Sequence, residues 1–165
     1  MPAFTELNLS PPVLRAIEKA GYTEPTPIQA QAIPIALEGR DIIGASQTGT
    51  GKTAAFALPI ISRMVPSDRP QCLILEPTRE LAAQVEEQMR LFGYYRPMNV
   101  VLLHGGVGYG NQTDGLSRKP DVIIATPGRL LDLQRSGQIK LDKVQFLVVD
   151  EADRMLDLGF ADDLA

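Results

Sequence analysis

Cysteine is almost absent from this 165-residue chain: Cys72 is the only one, so no internal disulfide can form. It lies in the apolar run Cys72-Leu73-Ile74-Leu75 and reads as a small core residue, which suits a reducing compartment. A chain of this length buries about two-thirds of the surface its unfolded form exposes, so one core forms without covalent staples. Long apolar runs are also missing. None approaches the roughly 18 residues that a membrane span needs, and Met1-Pro2-Ala3-Phe4-Thr5-Glu6 has no basic region leading into an apolar one. The expectation is a soluble, cytoplasmic protein with no membrane partner. Nor is there surplus positive charge. Sixteen Lys and Arg against twenty Asp and Glu, net −4, exclude attachment to nucleic acid by bulk charge, so any such site must be local. The one histidine, His104, ends an apolar run and reads as shaping a strand end rather than as an acid or base.

What is present is organised around Ser46-Gln47-Thr48-Gly49-Thr50-Gly51-Lys52-Thr53. A short apolar run, residues 41–45, leads in, and a helical pattern leads out from Thr53. In a strand, glycine loop and helix so arranged, successive backbone N–H groups curl about phosphate oxygens, helped by the positive end of the helix dipole. Lys52 is then placed to reach β/γ-phosphates and Thr53 to hold Mg²⁺. The general P-loop pattern begins with glycine, and Ser46 departs from it.

Residues 1–40 form a preface that reads as two helices. Ser10 is an N-cap before Pro11, and Gly21 a stop. Thr26-Pro27-Ile28-Gln29 opens the second helix, and its spacing is that of a capping box, so Gln29 has a purely local role available. Pro59 predicts a kink or early end in the helix after the P-loop, which otherwise runs to about Met64. From 71 onward apolar runs alternate with helical patterns: strands at 71–75, 99–103, 121–125 and 146–149, with a helix over 79–91. Runs so uniformly apolar indicate a parallel sheet covered on both faces, a three-layer α/β/α fold. In such sheets functional residues gather beyond the carboxyl ends of the strands. Ser46 to Thr53, Pro77-Thr78-Arg79, Gly105-Gly106, Thr126-Pro127-Gly128-Arg129 and Asp150 to Asp153 all fall there.

The tetrapeptide Asp150-Glu151-Ala152-Asp153 follows the last apolar run. Beside a P-loop, Asp150 is placed to hold Mg²⁺ through water. Glu151 then lies near the γ-phosphate, where it can orient and deprotonate an attacking water. Taken alone, the same acids would merely suit a helix N-terminus.

With these stretches together, the chain resembles the DEAD-box family of ATP-dependent RNA helicases, whose name is spelled at Asp150 to Asp153. The P-loop of that family begins with a small residue other than glycine, which accounts for Ser46. Residues 21–29 resemble its Q motif, with Phe4 upstream, and Pro77 to Ala82, Gly105-Gly106 and Thr126 to Arg129 match further motifs. The resemblance implies a RecA-like P-loop NTPase domain with ATP and Mg²⁺ as cofactors and RNA as partner. It implies that Gln29 reads adenine, Tyr22 packs on the base and Phe4 braces that packing. Lys52, Asp150 and Glu151 would serve catalysis, and Asp153 would contact a second RecA-like domain. Pro77, Thr78, Arg79, Gly105, Gly106 and Thr126 to Arg129 would grip the RNA backbone without reading sequence, although Thr78 and Thr126 could equally be helix caps.

The resemblance also implies that 41–165 is a C-terminally incomplete RecA-like domain, forming one structural domain with 1–40. A further Ser-Ala-Thr strand and a second domain would follow, so the chain alone is expected to show little ATP hydrolysis or unwinding. The alternatives are a P-loop DNA helicase or translocase, and a non-catalytic module that binds adenine nucleotide and RNA or protein. The intact set Lys52, Thr53, Asp150 and Glu151 speaks against the latter.

Overall fold

The structure is a computed structural model that describes residues 3–38, 52–64, 70–96, 98–103, 120–126, 144 and 146–149. The expected P-loop strand at 41–45, the loop at 46–51, the polar segments 65–69 and 104–119, the helix expected after Thr126, and residues 150–165 lie outside them. Two compact units are present, Met1–Val65 with Gln88–Pro97, and Pro66–Glu87 with Met98–Ala165.

The first unit opens with a 3-10 turn, Phe4–Glu6, and helix α1, Pro11–Lys19. Ser10 takes the extended N-cap conformation but makes no side-chain cap bond. A capping hydroxyl accepts from the N2 or N3 amide; Pro12 at N2 has none, which leaves only Val13 at N3. The Ser10 N–H donates to Ser62 Oγ at 3.1 Å, tying the start of α1 to the third helix. Gly21 ends α1 at φ +85°, with bonds from its N–H to the Glu18 carbonyl and from the Tyr22 N–H to the Ile17 carbonyl. These two bonds are a Schellman closure, which needs the left-handed residue glycine supplies and fixes the backbone at Tyr22.

Helix α2, Pro27–Leu37, and helix α3, Lys52–Arg63, pack along one another. Pro59 does not end α3 early; the helix continues four residues past it. The reason is burial: Ala57, Leu58, Pro59, Ile60 and Ile61 are all in the core. Each buried aliphatic side chain gains about 1.5–3 kcal/mol, enough to offset the hydrogen bond that proline removes.

The second unit is built on four parallel strands in the order β2-β3-β1-β4: β1 Cys72–Leu75, β2 Val100–Leu103, β3 Val122–Ala125 and β4 Phe146–Val149. Helix α4, Arg79–Phe92, links β1 to β2, as parallel pairing requires of a crossover. The α/β class and the parallel sheet expected from the sequence are both present. The expectation that every strand is covered on both faces fails at β4, where Leu147 is 62% and Val149 39% exposed. This strand pairs only with β1 among the described residues, and one of its faces is open. No helix among the described residues is long and apolar enough to cross a membrane.

Cys72 is fully buried in β1, and burial pushes its thiol up to about 12. The folded state thus holds a proton that the unfolded chain releases near pH 9, so this group's contribution to stability is whole below pH 9 and lost as pH rises toward 12. Native protein at pH 8 is expected to resist a thiol-specific chromogenic disulfide and to react at once in denaturant. Rapid labelling of the native chain would contradict the burial.

Candidate functional site

In the first unit the capping box foreseen at Thr26 is complete. Gln29 Oε1 accepts the Thr26 N–H at 2.9 Å, and Thr26 Oγ1 accepts the Gln29 N–H at 3.4 Å. Gln29 is 2% exposed, a polar side chain held rigid inside the core. The local role is therefore in place. The cap takes one lone pair of an amide that carries two donors and an oxygen with two lone pairs.

Phe4 is buried and Tyr22 half-buried, with ring centroids 6.4 Å apart and planes tilted by 35°. Phe92, from the last turn of α4, meets Tyr22 edge-on at 5.7 Å and is itself fully buried. The two phenylalanines fix the tyrosine ring through contacts that each add about 0.5–1.5 kcal/mol beyond burial. Phe92 was missed in the sequence, where it is one more apolar residue at the end of a helix, 70 positions from the tyrosine it supports.

Lys52 and Thr53, both half-buried, form the start of α3. They sit in the first turn, where helix amides have no intrahelical acceptor and the dipole is positive. Ser46, Gln47, Thr48, Gly49, Thr50 and Gly51 fall outside the described residues, as do Asp150, Glu151 and Asp153. The donors proposed for Mg²⁺, the Thr53 hydroxyl and the Asp150 carboxylate, are hard oxygen ligands, and they fit that ion.

In the second unit the sheet register aligns Leu103, Ala125, Leu75 and Val149 at one level. The chain continues from that edge into Glu76-Pro77-Thr78-Arg79 and Thr126, with the Glu76 N–H on the Ala125 carbonyl and the Thr126 N–H on the Leu103 carbonyl, both at 3.0 Å. Pro77 is buried and Thr126 half-buried. Thr78 Oγ1 accepts the Leu81 N–H at 3.3 Å, capping α4. Arg79 is exposed and donates through Nε to Glu80 Oε1 at 3.3 Å. The Glu80 carboxyl is held below its usual range by a hydrogen bond from its own backbone N–H and by the Arg79 guanidinium. So exposed a pair is weak and salt-screened, and it engages one of the five guanidinium donors. Gly105, Gly106, Pro127, Gly128 and Arg129 lie outside the described residues.

Glu76 is 0% exposed and was read in the sequence only as part of a connection. The available signal was an acidic residue between a wholly apolar strand and Pro77, since glutamate is rarely buried without a specific reason.

Residues 26–165 match the family model described as DEAD/DEAH box helicase. The chain is 49% identical over 163 residues to the ATP-dependent RNA helicase DeaD of Klebsiella pneumoniae, covering 98% of this chain and 25% of that protein. It is 50% identical over 159 residues to the ATP-dependent rRNA helicase RRP3 of Meyerozyma guilliermondii, covering 95% of this chain and 34% of that one. With the ATP-dependent RNA helicase CshA of Limosilactobacillus reuteri the identity is 47% over 163 residues, 98% of this chain and 33% of the relative. The chain thus spans about a quarter to a third of the length of these relatives.

Proposed function

Because the chain belongs to the DEAD/DEAH box helicase family, we propose that it is the ATP-binding and part of the RNA-binding portion of a cytoplasmic ATP-dependent RNA helicase. The observations that carry this reading are two features of the first unit, the buried amide of Gln29 and the Tyr22 ring in contact with Phe4 and Phe92. Such features suit a flat base with its own donor and acceptor edge. In this reading the Gln29 amide pairs with adenine while keeping its cap bond, and Tyr22 offers the base an aromatic surface.

Lys52 neutralises β/γ-phosphate charge, and the loop from Ser46 to Gly51 surrounds the phosphates with backbone amides. Thr53 and Asp150 hold Mg²⁺, which when bound neutralises charge on the phosphate oxygens. Glu151 takes the proton of the attacking water, a contribution of roughly 10²- to 10⁴-fold. Pro77, Thr78, Arg79, Gly105, Gly106 and Thr126 to Arg129 contact RNA phosphates. Asp153 faces a second RecA-like domain, and closure of the two around ATP and RNA separates strands locally. All three relatives above are named RNA helicases, which supports RNA over DNA.

Two substitutions at one position test the assignment of Gln29. In Gln29→Glu a carboxylate can still accept the Thr26 N–H, so the cap survives, but the amide donors are gone. Gln29→Ala loses both, with a stability loss of about 0.5–2 kcal/mol. In calorimetric titrations the wild type is expected to prefer ATP and ADP to GTP, and both variants to lose that preference; both melt lower, Gln29→Ala for the lost cap bond and Gln29→Glu for a carboxylate buried at a site only 2% exposed. Equal binding of ATP and GTP by the wild type, or retained preference in Gln29→Glu, would leave Gln29 as a helix cap alone.

A further inference from the structure

Besides the residues assigned above, the first unit carries a compact cluster of exposed rings and cations. Tyr94 is 56% and Tyr95 41% exposed, and their rings meet edge to face with centroids 5.0 Å apart. Two cations of α1 lie over them: Lys19 Nζ is 4.5 Å from the Tyr94 centroid and Arg15 Cζ 5.5 Å from that of Tyr95. Both cations are exposed, as is Glu18 on the same helix. The turn that presents the tyrosines is held by bonds from the Gly93 N–H to the Met89 carbonyl and from the Arg96 guanidinium to the Met64 carbonyl.

Two side-by-side pairs of ring and cation are what a single-stranded nucleic acid can use, since each nucleotide brings one flat base and one phosphate. Aromatic surfaces accept bases of any identity and cations take the phosphates. The charge distribution agrees. In the unit that carries the cluster Lys and Arg outnumber Asp and Glu, whereas in the other unit acids outnumber bases, within a chain of net charge −4. An acidic peptide would match the cations but gain little from two exposed rings. Resting on the reading of the chain as an RNA helicase portion, we infer that Tyr94, Tyr95, Arg15 and Lys19 form an auxiliary contact for single-stranded RNA, made by residues other than those of the strand-end motifs.

The chain has no tryptophan and four tyrosines, two of them Tyr94 and Tyr95, so the part of the emission lost in their leucine variants reports on this surface. The test is a titration of the chain with an oligouridylate, following both tyrosine emission and the anisotropy of a labelled oligomer, at several salt concentrations. Binding is expected to quench emission. Tyr94→Leu with Tyr95→Leu should weaken binding about tenfold or more and remove most of the quench, with an unchanged circular dichroism spectrum. Arg15→Gln with Lys19→Gln should lower the salt slope by about 1.4, the value for two phosphate contacts on a single strand. Arg79→Ala should weaken binding yet leave the quench at saturation intact.

Wild-type affinity in both double variants would overturn the inference while leaving the helicase reading standing. Loss of affinity in the cation variant alone, with a polyglutamate peptide competing as well as the oligomer does, would overturn it in favour of an acidic peptide site. No RNA binding by the wild type would overturn the inference too, while the reading of the chain as a helicase portion is tested separately by its adenine selectivity at Gln29.

Discussion

Lys52→Ala is expected to weaken ATP binding by about 10- to 100-fold while leaving AMP binding within a factor of about two. The argument starts from place: Lys52 opens α3, so its backbone and that of Thr53 remain in the first turn whatever the side chain is. Alanine favours a helix at least as well as lysine, so the substitution removes an ammonium group and little else. A hydrogen bond to a charged group contributes about 1.5–3 kcal/mol, and 1.4 kcal/mol is tenfold in affinity. AMP lacks the β- and γ-phosphates that the lysine is proposed to reach, and its binding is proposed to rest on Gln29 and Tyr22. Parallel titrations with ATP, ADP and AMP decide the matter. If ATP and AMP weaken together, Lys52 shapes the unit instead of reading the phosphates. If neither changes, the site lies elsewhere.

Phe92→Ala is expected to produce the largest loss of stability, about 3–5 kcal/mol. The side chain is fully buried and its ring edge meets Tyr22 at 5.7 Å, so truncation leaves a cavity that the closed Gly21 turn cannot fill by moving the tyrosine. For a chain of this size each kcal/mol lowers the melting temperature by roughly 2–4 °C, so a fall on the order of 10 °C follows. Phe92→Leu keeps most of the volume and should lose less than half as much. Adenine-nucleotide binding by folded Phe92→Ala, measured below its melting transition, should weaken as well, because Tyr22 loses one of its two aromatic neighbours. An unchanged melting temperature would mean that the site collapses freely. Wild-type nucleotide affinity would mean that Tyr22 does not depend on Phe92.

Local features were legible residue by residue. Thr26 and Gln29 stand three apart before an apolar helix, and the structure contains the reciprocal bonds that this spacing permits. Gly21 was read as a stop and stands at positive φ. The apolar runs became parallel strands, with boundaries moved by a single residue in three of them. Each inference needed only neighbours within one turn, or a side-chain period fixed by backbone geometry. Ser10 stands at the N-cap position read for it, but without a side-chain cap bond, and its N–H donates to Ser62, 52 residues away. Of the two outcomes read at Pro59, a kink or an early end, the early end does not occur, since core burial holds the helix together past it.

By itself, then, the sequence determined the α/β alternation, the helix starts and stops, and the family to which the chain belongs, because all of these are written in spacings along the backbone. Tertiary structure alone decided that Phe92 and Phe4 flank Tyr22, that Glu76 is wholly buried, that one face of β4 stays open, and that Arg15 and Lys19 lie over Tyr95 and Tyr94. Each is a meeting, or a missing neighbour, between segments far apart in the chain. Such contacts depend on how helices and strands stack after they form, and close packing selects partners by shape and volume, which no spacing along the sequence encodes.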